Sequence, residues 1–142
     1  IFINEDYLTR KKPNKISIHN KNKGLEFFKV IGKADISQSL IIQNQIILGI
    51  EAAEGTDQLI IRCNKYKKKG DNGILLKLSK YRQSENMDVP VIGLQTVRNL
   101  KKYHYEGVYL EKNKCIIIEK EKVIEFCNLN NLFIAGIDKI DQ

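Results

Sequence analysis

The chain has 142 residues, 42% hydrophobic and 29% charged, with nine glycines and two prolines, which excludes collagen-like, low-complexity and wholly disordered chains. Twenty-four basic against seventeen acidic residues leave a net charge of +7, a surface that attracts anions such as nucleic acid, phosphorylated small molecules or acidic headgroups. The longest apolar stretch, residues 40–50, is interrupted by Gln43, Asn44 and Gln45 and is too short to span a bilayer.

The chain opens on Ile1 with no signal-peptide pattern, so a fragment or a processed chain is expected. Residues 10–23 (RKKPNKISIHNKNK) carry six basic residues, no acid and few apolar ones. With Pro13 opposing helix, they predict a solvated linker, so residues 1–23 read as a basic arm and 24–142 as the folded domain. Gly24 to Ile31 predicts a short amphipathic helix, and GKADIS after it a turn. The β-rich runs 39–43 and 46–51, joined at Asn44-Gln45, predict a hairpin. A helix follows from Asp57 to about Lys68, with Leu59, Ile60 and Cys63 on one face. Thr56 or Asp57 is its expected N-cap, and KYKKK (65–69) suits its C-terminal dipole end.

Residues 73–78 predict a buried strand, 79–88 a polar loop, and 88–93 an extended stretch held by Pro90. Gln95 to about His104 predicts a helix with Val97, Leu100 and Tyr103 on one face. Strands at 107–110 and 115–119 flank a turn at 112–114, and a helix at 121–128 and a strand at 132–137 end the chain. Hairpins mixed with strand–helix–strand units give an α/β fold in the broad sense, a mixed sheet with flanking helices.

Twenty Lys against four Arg suit phosphate more than base edges, because the guanidinium fork is what reads guanine. Cys63, Cys115 and Cys127 have no CxxC spacing, which points to reduced core thiols in a cytoplasm rather than to zinc or disulfides. No dinucleotide or P-loop motif is present, and two distant histidines offer no triad, so carboxylates must carry any catalysis. Asp35, Glu51, Glu54 and Asp57 concentrate in one stretch, at a strand end, a loop and a helix start, where oxygen ligands can converge on Mg²⁺. Simple capping by Asp57 and solvent exposure of Glu54 are the plainer alternative. Two helices open just after Gly55 and Gly93, each offering free N–H groups to a phosphate, with Lys77 and Lys80 close in sequence. Asp88 precedes the second start and is placed to orient a metal or a water.

These pieces form a pattern. GKADISQS (32–39), IILGIEAAEGTDQLIIRC (46–63) and LLKLSKYRQSENMDVPVIGLQTV (75–97) resemble, in order, motifs of the C-terminal domain of the Mg²⁺-dependent UDP-2,3-diacylglucosamine pyrophosphatases of lipid A synthesis. EAAEGTD is the most specific of them. The loop at 80–88 departs from the common form, with Ser84 and Asn86 where an Asp and an Arg are expected. The resemblance implies hydrolysis of the pyrophosphate to UMP and 2,3-diacylglucosamine 1-phosphate, by water attack at the α-phosphorus with Mg²⁺ or another divalent ion. It further implies an N-terminal domain that this chain lacks, a cytoplasmic setting, and peripheral membrane contact through the lipid substrate.

By the same resemblance, Asp88 would activate metal or water, and Glu51, Glu54, Asp57 and Asp88 would be the metal-side carboxylates. Asp35, Gln38, Gly55, Thr56, Lys77, Lys80, Gly93 and Thr96 would contact substrate or phosphate. Two alternatives stand beside it. One is a nucleic-acid module using the Lys-rich segments 10–23 and 65–69, which scarce Arg and the lack of an aromatic platform disfavour. The other is a domain that mainly forms a homodimer through its Ile-rich strands.

Overall fold

The structure is a computed structural model that describes residues 1–31, 39–79 and 89–138. Seven strands and four α-helices follow one another as α1 (Lys15–Ile31), β1 (Ser39–Gln43), β2 (Ile46–Ile50), α2 (Thr56–Cys63), β3 (Ile74–Lys77), β4 (Val91–Ile92), α3 (Leu94–Lys102), β5 (Gly107–Glu111), β6 (Ile116–Ile117), α4 (Lys120–Leu129) and β7 (Phe133–Ile137). Five strands form the central sheet in the order β2-β1-β3-β5-β7. The β1–β2 and β1–β3 pairs are antiparallel, and β3–β5 and β5–β7 are parallel. This is the expected α/β fold with a mixed sheet.

Strand alternation sorts the core into two layers. Ile41, Leu75, Val108, Leu110 and Ile134 point to one face and pack with Leu59, Ile60 and Cys63 of α2, Val97 and Leu100 of α3, and Val123 and Cys127 of α4. Leu40, Ile42, Ile74, Leu76, Tyr109 and Phe133 point to the other face, with Phe28 of α1. The hairpin turn falls at Asn44-Gln45 as expected, both residues at positive φ (54° and 57°), the primed geometry that follows the strand twist.

Three local expectations are corrected. First, the helix expected over 24–31 begins at Lys15, so residues 15–23 are its first half and not a connector. Pro13 lies just ahead of it, and Asn14 Oδ1 accepts from Ser17 N at 2.8 Å, closing the first turn. The buried stripe of α1 is Ser17, Asn20, Gly24 and Phe28, small or polar for most of its length. Gly24 lets the helix pack close there, because a Cβ would stand 2.6 Å from Leu76 Cδ2 and force that side chain to shift. Buried Asn20 is satisfied by donating to Asp71 Oδ1 and accepting from Gln45 N. Ahead of α1, residues 6–9 lace the outer edge of β7: Leu8 N donates to Ile134 O, Gly136 N to Asp6 O, and Ile134 N to Thr9 Oγ1.

Second, the strand expected over 115–119 is only Ile116–Ile117, and although it and β5 flank the expected turn the two are not paired. β5 already has β3 and β7 on its two sides, so β6 pairs in parallel with β4 in a separate two-stranded sheet. Third, α2 ends at Cys63 in a 3-10 turn, Asn64–Tyr66. Lys67 then donates to Tyr103 O and His104 O, at the C-terminal end of α3 rather than of α2. All three cysteines are free and buried, and burial pushes the thiols of Cys115 and Cys127 up to about 12. Among the described residues no helix is long and apolar enough to cross a membrane.

Candidate active site at the carboxyl edge of the sheet

The register fixes which residues meet. Leu40 lies opposite Ile50, and Ser39 opposite Lys77. The start of β1 and the ends of β2 and β3 therefore share one edge of the sheet, the edge where parallel strands β3 and β5 also end. Each helix on the α2–α3–α4 face runs from this edge back to the opposite one. The helix starts after Gly55 and Gly93 consequently both lie at the carboxyl edge, where crevices of open α/β sheets bind ligands.

Only three charged side chains among the described residues are buried, Glu51, Lys77 and Glu111, and all three stand at this edge. Buried charges are held by partners or they are expelled. Glu51 follows β2, its amide donates to Ser39 O at 2.9 Å, and its Oε1 accepts from Thr56 Oγ1 at 3.0 Å. Lys77 Nζ donates to the same Thr56 hydroxyl at 2.7 Å, and Ser39 Oγ lies 3.2 Å from it. Glu111, at the end of β5, accepts with Oε1 from Ser79 N (3.1 Å) and Ser79 Oγ (2.9 Å). Burial lowers the proton affinity of Lys77, opposed by the charges of Glu51, Cys115 and Asp57. Cys115 Sγ donates to Lys77 O at 3.7 Å.

The start of α2 differs from the expected cap. Gly55 is the N-cap at φ 87°, with no side-chain cap bond. Thr56 cannot cap because its hydroxyl is turned into the sheet edge toward Glu51. Asp57 lies in the first turn, and its Oδ1 is buried with no hydrogen-bond partner among the described residues. Among the described residues, a Cβ added at Gly55 or at Gly93 would meet no atom within 4 Å, so none of them fills the space before either helix start. Thr96 is buried and its Oγ1 accepts from Gly93 N at 3.3 Å, a capping contact within α3.

The other carboxylate of the EGTD turn is committed elsewhere. Glu54 Oε1 pairs with Arg62 at 2.8 Å, and its Oε2 accepts from Ala52 N. Its own backbone N–H above all, then Arg62 and Ala52 N, hold its carboxyl below the ordinary value, and Arg62 also donates to Ile50 O. Among the described residues no three of His, Cys, Asp and Glu gather as a metal cluster. Of the residues singled out in the sequence, Glu51, Thr56 and Lys77 meet directly, with Asp57 beside them. Asp35, Gln38, Lys80 and Asp88 lie outside the described residues. Ser39, Glu111 and Cys115 complete the cluster and were not singled out. Their signal is strand register, which is invisible until pairing is known.

Over residues 4–135 the chain matches the family described as the LpxI C-terminal domain. It is 28% identical over 123 residues to the UDP-2,3-diacylglucosamine pyrophosphatase LpxI of Caulobacter vibrioides, a similarity covering 82% of this chain and 44% of that protein. The chain thus spans less than half the length of that relative.

Proposed function

The chain belongs to the LpxI C-terminal domain family, and we propose on that basis that it is the C-terminal part of a hydrolase acting on the pyrophosphate of UDP-2,3-diacylglucosamine in lipid A synthesis. Water attack at the α-phosphorus would release UMP and 2,3-diacylglucosamine 1-phosphate. The observation that carries the reading is the collection, among the described residues, of every buried charge at one sheet edge, beside a space at Gly55 that none of those residues fills. A diphosphate needs positive charge and N–H donors in a place partly shielded from water, and Lys77 with the first amides of α2 supplies both. Burial strengthens the attraction of Lys77 for a phosphoryl oxygen by lowering the surrounding dielectric.

A divalent ion such as Mg²⁺ suits this donor set, which is rich in oxygen. Asp57, whose Oδ1 is buried without a partner among the described residues, and Asp88 are the side chains that would hold it. When bound, the ion would neutralise charge on the diphosphate. Glu51 and Glu54 already have protein partners in Thr56 and Arg62 and are assigned supporting roles. Asp88 is assigned to water or metal activation, and Lys80 with Asp35 and Gln38 to the substrate, from their places in the family motifs.

The region that precedes this domain in the longer relative would form the second wall of the cleft. The membrane-embedded substrate would bring the protein to the cytoplasmic face of the inner membrane. The deciding experiment is Asp88→Ala in the full-length protein. UMP release from UDP-2,3-diacylglucosamine is expected to fall at least about a hundredfold with the melting temperature retained. Unchanged turnover would reject the assignment of Asp88.

A further inference from the structure

We propose that Thr56 is a positioning residue, whose hydroxyl is locked by Glu51 and holds the Lys77 ammonium at the carboxyl edge for a phosphoryl oxygen of the substrate. The claim rests on the phosphate-binding reading above and assigns Glu51 to orientation rather than to metal ligation.

The argument is one of hydrogen-bond capacity. A threonine hydroxyl has one proton and two lone pairs, a carboxylate only accepts, and an ammonium only donates. Glu51 Oε1 at 3.0 Å must therefore take the Thr56 proton, and Lys77 Nζ at 2.7 Å must donate into a Thr56 lone pair. The remaining lone pair faces Ser39 Oγ at 3.2 Å. Every direction of the hydroxyl is occupied, so it cannot rotate to serve a ligand itself. Lys77 meets Thr56 with one of its three N–H groups, leaving two for a ligand among the described residues. A lysine head on a four-carbon stem is otherwise free to swing, and fixing it before the substrate arrives removes an ordering cost from binding. Glu51 and Lys77 are linked through one atom, so a change at either end reaches the other.

The test uses the full-length protein and steady-state release of UMP. Thr56→Val keeps the shape and removes the bridge. It is expected to lower kcat/KM by about tenfold or more, chiefly through KM, as loss of a hydrogen bond to a charged group implies. Thr56→Ser restores the bridge and is expected to return kcat/KM to within roughly threefold of the wild type. Glu51→Ala should reproduce the Thr56→Val defect, and the double variant should be no worse than either single one, because both remove the same unit.

The proposal is overturned by a Thr56→Val enzyme within about twofold of wild type, by a folded Thr56→Ser protein that stays as impaired as Thr56→Val, or by fully additive losses. Circular dichroism confirms folding of each variant, with Thr56→Ser as the form that keeps both buried charges partnered. A wild-type protein that releases no UMP would sink the functional reading instead. The positioning claim is then read from calorimetric affinity for inorganic pyrophosphate, expected to weaken about tenfold in Thr56→Val and to recover in Thr56→Ser.

Discussion

Glu106 shows at the scale of one residue how this chain closes its amino edge. Its carboxylate takes Lys11 from the segment before α1 and Asn72 from the loop before β3, while its amide donates to Gly73 O. Burial alone would push its proton affinity up. The bonds from Lys11 and Asn72 outweigh that, and hold the carboxyl below its ordinary value of 4.5. A carboxyl depressed on folding adds stability that is complete above its unfolded value and disappears as the pH falls through its folded value. The stability advantage of the wild type over Glu106→Gln should therefore be full at neutral pH and shrink steadily below about pH 4.5. Urea unfolding of both proteins from about pH 7 to about pH 3 measures this, and a gap that stays constant across the range contradicts it.

At the scale of elements, the first half of α1 depends on close approach, while apolar contact is confined to its second half, at Leu25, Phe27, Phe28 and Ile31. Gly24 lets the helix backbone sit against Leu76 and Ile42, and the side chain of Gly24→Leu would have to fill space that those methyl groups occupy. The expected loss is about 1–3 kcal/mol from overpacking, measured by urea unfolding. A neutral result would mean that α1 lies looser on the sheet than its burial indicates. The same packing explains why α1 was half hidden in the sequence. Its stripe of Ser17, Asn20 and Gly24 carries no hydrophobic period, whereas α2 shows one in Leu59, Ile60 and Cys63, and only its cap and its end differ from the expectation. The hairpin was legible because Asn44-Gln45 is local turn chemistry. The departure of β6 was not, because it follows from β5 having no free edge, a property of the whole sheet. The site divides in the same way. The motif string exposed Glu51, Thr56 and Lys77, but their union in one hydrogen-bond chain depends on Ser39 pairing with Lys77 across two strands.

At the scale of the molecule, the two ends of the sheet are built for different work. The amino edge is tied by Lys11, Glu106, Asn72 and Lys67 into loops and helix ends. Among the described residues, the carboxyl edge concentrates buried charge at Glu51, Lys77 and Glu111, yet none of them fills the space before Gly55 and Gly93. A buried lysine is costly unless partnered, and Lys77 is held here by the Thr56 hydroxyl and the charge of Glu51; in the proposed function a single domain would offer one wall to the ligand. The chain has its own two-layer core and should unfold in a single cooperative step without any further region. Binding and turnover should separate. The 142-residue chain alone is expected to bind inorganic pyrophosphate weakly and to release UMP at least about a hundredfold more slowly than the full-length protein, because positioning between two walls supplies much of the rate. Parallel assays of the two proteins at equal concentration decide it. Equal turnover would mean that this domain holds the entire catalytic apparatus, and the second wall would then have to be a lipid-handling device rather than part of the chemistry.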